Sequence, residues 1–169
     1  MLKLLKRLLP ALCVLGFAYS NHAAAQPSVR IESPVAQQGP RALQEQTASA
    51  AIRDYLEAWK SLSTAFEQNR SDLLSTYFAG AALDKLGETV QEQAGAGLST
   101  RYQANSHDIQ IVFYSPEGLS IELTDTVEYD MQVSDRGKPI TNQRMRTRYI
   151  VVLTPAEQRW KVRVFQAMI

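Results

Sequence analysis

Residues 119–133, LSIELTDTVEYDMQV, decide the fold, because Leu119, Ile121, Leu123, Val127, Tyr129, Met131 and Val133 all fall on odd positions while the even ones are polar. A period of two belongs to a strand with one face on a core and the other in water. A single odd position breaks the pattern, Asp125. Upstream, Ile109, Ile111 and Phe113 alternate before a turn at Ser115, Pro116, Glu117 and Gly118. Downstream, Asp135, Arg136 and Gly137 make a second turn, and Met145, Thr147, Tyr149, Val151 and Leu153 share one face of a third strand. After Thr154 and Pro155, the stretch from Trp160 to Met168 forms the last. Four strands joined by short turns make an antiparallel meander.

Before Leu98 the period is that of a helix. Ile52, Tyr55, Leu56, Trp59, Leu62, Ala65 and Phe66 recur at steps of three and four, placing one apolar stripe on one face, with Thr47 or Ser49 as cap. Ser71 and Asp72 start a second, short helix through Leu73, Leu74, Tyr77 and Phe78 to Gly80. Leu83, Leu86 and Val90 define a third, which stops in Gly95, Ala96 and Gly97. Helices followed by strands give an α+β domain at 48–169, with the helices on the odd-numbered face of the sheet.

The N-terminus is built for export. Lys3, Lys6 and Arg7 precede an apolar stretch from Leu8 to Tyr19, and Ala23, Ala24 and Ala25 supply a cleavage site, so residues 1–25 form a signal peptide. The apolar stretch holds about 12 residues against the roughly 20 of a bilayer span, so no stable membrane span is expected after cleavage. Retention as an anchor for a larger envelope assembly is the alternative, and Cys13 raises a lipid attachment that its neighbours Ala11 and Leu12 fit poorly. From 26 to 47 the chain is rich in Pro and Gln, with Pro27, Pro34 and Pro40, and is expected to be a flexible leader. The product is placed in the periplasm or outside the cell.

Cleavage also prunes the chemistry. The chain goes from 18 basic against 17 acidic residues to 15 against 17, a near-neutral domain without the basic excess of a nucleic-acid binder. It loses its one cysteine, and His107 is its one remaining histidine. Disulfides and thiol chemistry are excluded, a metal cluster is not expected, and no cofactor is implied.

The order of elements resembles the NTF2-like superfamily. The residues carrying the resemblance are Tyr55, Leu56 and Trp59, the run LLSTYFAG at 73–80, and the closing strands with WKVRVF at 160–165. It implies three N-terminal helices packed on a bent four-stranded antiparallel sheet. Within the superfamily these residues most resemble the non-catalytic branch typified by the C-terminal domain of plastid division proteins. Isomerases, dehydratases and cyclases share the fold, so fold alone does not choose a function.

Asp125 is the residue most open to a chemical reading. A carboxylate turned into a pocket is raised toward working pH by desolvation and can act as a general base. Tyr55, Tyr129 and Tyr149 are the hydroxyls available to stabilise an oxyanion. The structural account is a bulge near Thr124–Thr126 that turns Asp125 outward, or a Tyr or Arg that donates to it. Tyr55, Trp59, Tyr77, Asp125 and Tyr149 are the candidate pocket residues, with Trp59 and Trp160 equally serving as core anchors. His107 reads as a loop-edge residue, pointing away from Asp108. Asn69, Arg70 and Ser71 match a glycosylation acceptor.

On the even face, folding the hairpin about Arg136 and Gly137 sets Asp130 opposite Arg144 and Glu128 opposite Arg146, with Arg148 continuing the ladder. Val112, Tyr114, Ile150 and Val152 join this face, and together they form a candidate surface for a homodimer or an envelope protein partner. The leading expectation is an exported, non-catalytic binding or scaffolding module. The rival is a small-molecule isomerase, dehydratase or cyclase with Asp125 as base.

Overall fold

The computed structural model describes residues 26–32 and 42–168, so the export segment with Cys13 lies outside the described residues. The elements run β1 (Ser28–Ile31), α1 (Glu45–Gln68), a 3-10 helix (Ser71–Thr76), α2 (Gly80–Gly95), β2 (Leu98–Tyr114), β3 (Ile121–Asp135), β4 (Lys138–Pro155) and β5 (Trp160–Ala167). The strands form one sheet in sequence order, β1 parallel to β2 and the others antiparallel. The sheet therefore has five strands and is mixed, where four antiparallel ones were expected. The fifth strand comes from the leader, in which Val29 and Ile31 alternate with polar neighbours over four residues only.

α1 buries the expected stripe, from Ala51, Ile52 and Tyr55 through Trp59 to Phe66. It starts at Glu45, so Thr47 and Ser49 lie inside the helix, and Gln44 makes no side-chain cap. Asn69 ends it in the left-handed region at φ 55°, and its amide nitrogen donates to Leu98 O at 2.8 Å. The glycosylation reading therefore falls on a nitrogen already engaged in the fold. Gln93 of α2 donates to Phe66 O at 2.7 Å and accepts from Thr100 Oγ1 at 2.9 Å, clamping α2 to the end of α1 and the start of β2. At the other end of α1, buried Asp54 accepts the Trp160 backbone N–H at 2.8 Å and so anchors the start of β5. No helix among the described residues is long and apolar enough to cross a membrane.

Two bulges in β2 control which side chains face the helices. Ala104 pairs with Tyr129 and Ser106 with Glu128, so Asn105 is an inserted residue. Even-numbered Tyr102 and Ala104 thus share the inner face with odd-numbered His107 and Ile109. The second bulge lies between Ile111 and Phe113. It sets Phe113 opposite Glu122 on the outer face and Tyr114 opposite the fully buried Ile121. Tyr114 packs on the core, which removes it from the expected partner surface, and Val112 is the bulged residue between the two registers. Ile150 and Val152 keep their outer positions, opposite Thr124 and Glu122.

The β3–β4 register matches the expected ladder. Arg144 Nε lies 3.1 Å from Asp130 Oδ1, and Arg146 Nε lies 3.7 Å from Glu128 Oε1. Asn105 Nδ2 also donates to Asp130, at 3.0 Å. The Arg144 and Asn105 hydrogen bonds hold the Asp130 carboxyl below its ordinary value. An Arg144→Ala variant is expected to raise the Asp130 midpoint in an NMR titration while leaving the melting curve at neutral pH almost unmoved, because exposed pairs contribute little. An unmoved Asp130 midpoint would contradict the assigned pairing.

Candidate functional site

The centre of the inner face is a chain of buried hydrogen bonds. Trp59 Nε1 donates to the Tyr55 hydroxyl at 2.8 Å, and that hydroxyl donates to Asp125 Oδ2 at 2.7 Å. His107 Nδ1 lies 2.7 Å from the same oxygen. An indole N–H can only donate, so it occupies a lone pair of the Tyr55 oxygen and leaves the phenolic proton for Asp125. An ionised carboxylate can only accept, which places an imidazole proton on Nδ1. Asp125 is fully buried, and its Oδ1 has no hydrogen-bond partner among the described residues.

The register explains how these residues meet. Asp125 stands in the central strand β3 with no bulge at Thr124–Thr126, opposite Ile109 on one side and Tyr149 on the other. It faces inward, and its partners are a tyrosine from α1 and the histidine of β2. His107 keeps the odd phase of Ile109, with no bulge between them, and so shares that face. His107 lies in the middle of a 17-residue strand and is 2 % exposed, which corrects the loop-edge reading. That reading failed because β2 begins at Leu98, nine residues before the histidine.

Burial and the Asp125 charge push the Tyr55 hydroxyl well above its ordinary value. Burial likewise raises Tyr102 to about 12, and it raises Tyr149 further, with the Tyr129 hydroxyl adding to the effect. These hydroxyls stay protonated at working pH.

Above this network opens a cleft of about 620 Å³ between α1, β2 and β1. Tyr102, Ala104 and His107 of β2 form its floor, Ile52, Leu56 and Trp59 of α1 one wall, and Val29 and Ile31 of β1 the other. Arg53, Glu57 and Lys60 stand along the α1 side. Mostly apolar walls with a few placed polar groups are the usual make-up of a small-molecule site.

Of the expected pocket residues, Trp59 alone lines this cleft. Tyr55 and Asp125 lie behind it, fully buried. Tyr149 stacks on Phe165 at 4.6 Å between ring centroids, and Tyr129 reaches Thr147 Oγ1 at 3.3 Å. Tyr77 sits elsewhere, beneath the Arg159 guanidinium at 4.9 Å. The residues that sequence reasoning missed are His107, Val29 and Ile31. Their one signal was alternation, which His107 shares with Ile109 and Ile111 as a polar residue at an odd position and which is too short for the other two. Among the described residues no cluster of His, Cys, Asp and Glu could hold a metal ion.

No protein-family model matches the chain, and no curated protein sequence does. Solved structures do. The intermembrane space region of the chloroplast protein ARC6 superposes with a TM-score of 0.63 at 17 % identity, covering 76 % of this chain and 98 % of that one. A putative scytalone dehydratase from Novosphingobium aromaticivorans follows at 0.51 and 13 % identity, over 75 % and 89 % of the two chains. The fold is NTF2-like. The Kfla4162 protein of Kribbella flavida superposes on it at 0.51 and 11 % identity, over 72 % and 91 %. At such identities these likenesses establish architecture and leave the ligand open.

Proposed function

We propose that this is an exported binding domain that takes a small, largely apolar molecule into the cleft between α1, β2 and β1 and sets one polar group of it against His107. The cleft itself carries the reading, an apolar volume of about 620 Å³ with a single imidazole in its floor. Asp125 orients that imidazole from behind.

The test is a fluorescence titration of the mature chain with an uncharged apolar fluorophore. A Leu56→Trp variant, which fills the cleft from α1, is expected to weaken uptake about tenfold or more, equivalent to about 1.4 kcal/mol. Uptake unchanged by the larger side chain sinks the assignment of this cleft.

The buried relay favours a second reading. An imidazole held by a carboxylate on one nitrogen and facing a cleft with the other is the arrangement of a general acid–base, so a dehydratase or isomerase would use His107 at the substrate, with Asp125 as positioning residue. Asp125 is fully buried while His107 lines the cleft, which supports the positioning role for the carboxylate. A dehydration or enolisation activity that His107→Gln abolishes without unfolding the chain decides for this reading.

A further inference from the structure

β1 is an unusual wall for a binding site. It is a four-residue strand at the edge of the sheet, close-packed on β2, and every one of its residues is exposed. Val29 and Ile31 point inward, beside His107 and Ile109 in the parallel register, yet they remain 41 % and 55 % exposed. With both in place the cleft of about 620 Å³ is still open. The segment thus satisfies the β2 edge with backbone hydrogen bonds but underfills the cleft with side chains. Twelve residues separate its last ladder contact, the Glu32 N–H to Ile109 O at 2.9 Å, from the start of α1.

We infer that the β2 edge at Ser106–Ile109, together with the cleft beside it, is a docking site for an extended segment of a partner protein, which β1 fills in cis. The partner segment adds parallel to β2, with two large apolar residues, leucine or aromatic, at the alternate positions that Val29 and Ile31 now occupy. Main-chain hydrogen bonds of such a strand are common to any sequence, and the two inward side chains supply the selectivity. A larger pair covers apolar surface that valine and isoleucine leave open, which is the advantage a partner needs over a tethered strand at high effective concentration. The inference uses the cleft of the proposed function but does not depend on its small ligand.

The test uses the mature chain, residues 26–169, and two synthetic peptides. The first carries the sequence of Gln26–Glu32 with Val29→Phe and Ile31→Leu. The control places the same Phe and Leu on the outward positions, replacing Ser28 and Arg30, with Ser and Arg moved to the inward ones. Amide exchange by NMR is read at Ser106–Ile109 and at Glu32. The first peptide is expected to shift the β2 amides and to speed exchange of the Glu32 amide about fivefold or more as β1 is displaced, and the control to do neither. In a full chain carrying Val29→Asp and Ile31→Asp, which frees the edge of its cis occupant, the first peptide is expected to bind about tenfold more tightly. Failure of both peptides to bind overturns the inference, as does equal affinity for the two chains. Binding that leaves Glu32 protected also overturns it, since the peptide then lies in the cleft as any apolar ligand would and the cleft reading survives. Loss of fluorophore uptake in Leu56→Trp with no peptide effect separates the two proposals in the opposite sense.

Discussion

Trp59→Ala is expected to lower stability by about 3–5 kcal/mol, the range for deleting a large aromatic from a packed core. The indole is surrounded by rings, with His107 at 5.5 Å, Tyr149 and Phe165 at 5.6 Å and Tyr129 at 6.0 Å between centroids. It is also the residue through which α1 touches β2, β3, β4 and β5 at once. Removing it opens a cavity against four strands and strips the Tyr55 hydroxyl of its donor. Trp59→Phe keeps most of the ring contacts and loses the donor, so a smaller cost of about 1–2 kcal/mol is expected. Urea denaturation of the three chains measures both. A Trp59→Ala cost below about 1 kcal/mol means that the aromatic cluster is not the centre of the core.

Asp125→Ala ranks second, at about 2–5 kcal/mol, because it leaves the Tyr55 hydroxyl and the His107 Nδ1–H buried without an acceptor, at about 1–3 kcal/mol each. Asp125→Asn retains an acceptor and is expected to cost less. The same network sets an alkaline limit. Burial and the Asp125 charge raise the Tyr55 hydroxyl above its ordinary value of 10.0. Below pH 10 the folded and unfolded chains both hold this proton, and the contribution is fully present. Above it the unfolded chain releases the proton first, so stability falls as pH rises from about 10. Tyr102, raised to about 12, adds a slope of the same sign. Tyr55→Phe is expected to flatten the alkaline limb of a stability–pH curve. A limb of unchanged slope means that the Tyr55 proton is not coupled to folding, and a near-neutral Asp125→Ala means that the network adds no stability.

Much of this was legible in the sequence, for local reasons. The period of two at 119–133 and the Gly137 hairpin fixed both the face of β3 and its register with β4, so that Asp130 and Arg144 were paired from spacing alone. Asp125 stood out because a carboxylate on an apolar face must be either turned away or bound by donors. What was illegible was anything that changes the phase of the chain. The bulge at Asn105 moves the inner face from odd positions downstream to even ones upstream and so delivers Tyr102 and Ala104 to the interior. The bulge after Ile111 exchanges the roles of Phe113 and Tyr114. β1 was hidden for a different reason, since its partner strand lies about 78 positions along the chain and a four-residue alternation between prolines carries no local mark of it.

The Asn105 bulge gives the site an arithmetic vulnerability. Asn105 is pinned by its amide to Asp130, the carboxylate that Arg144 grips on the outer surface. Losing one residue from this stretch would re-phase everything upstream or downstream of it, rotating either His107 or Tyr102 out of the interior. Over generations, length variation should therefore be purged between Tyr102 and His107, so that the number of residues separating these two drifts more slowly than their identities.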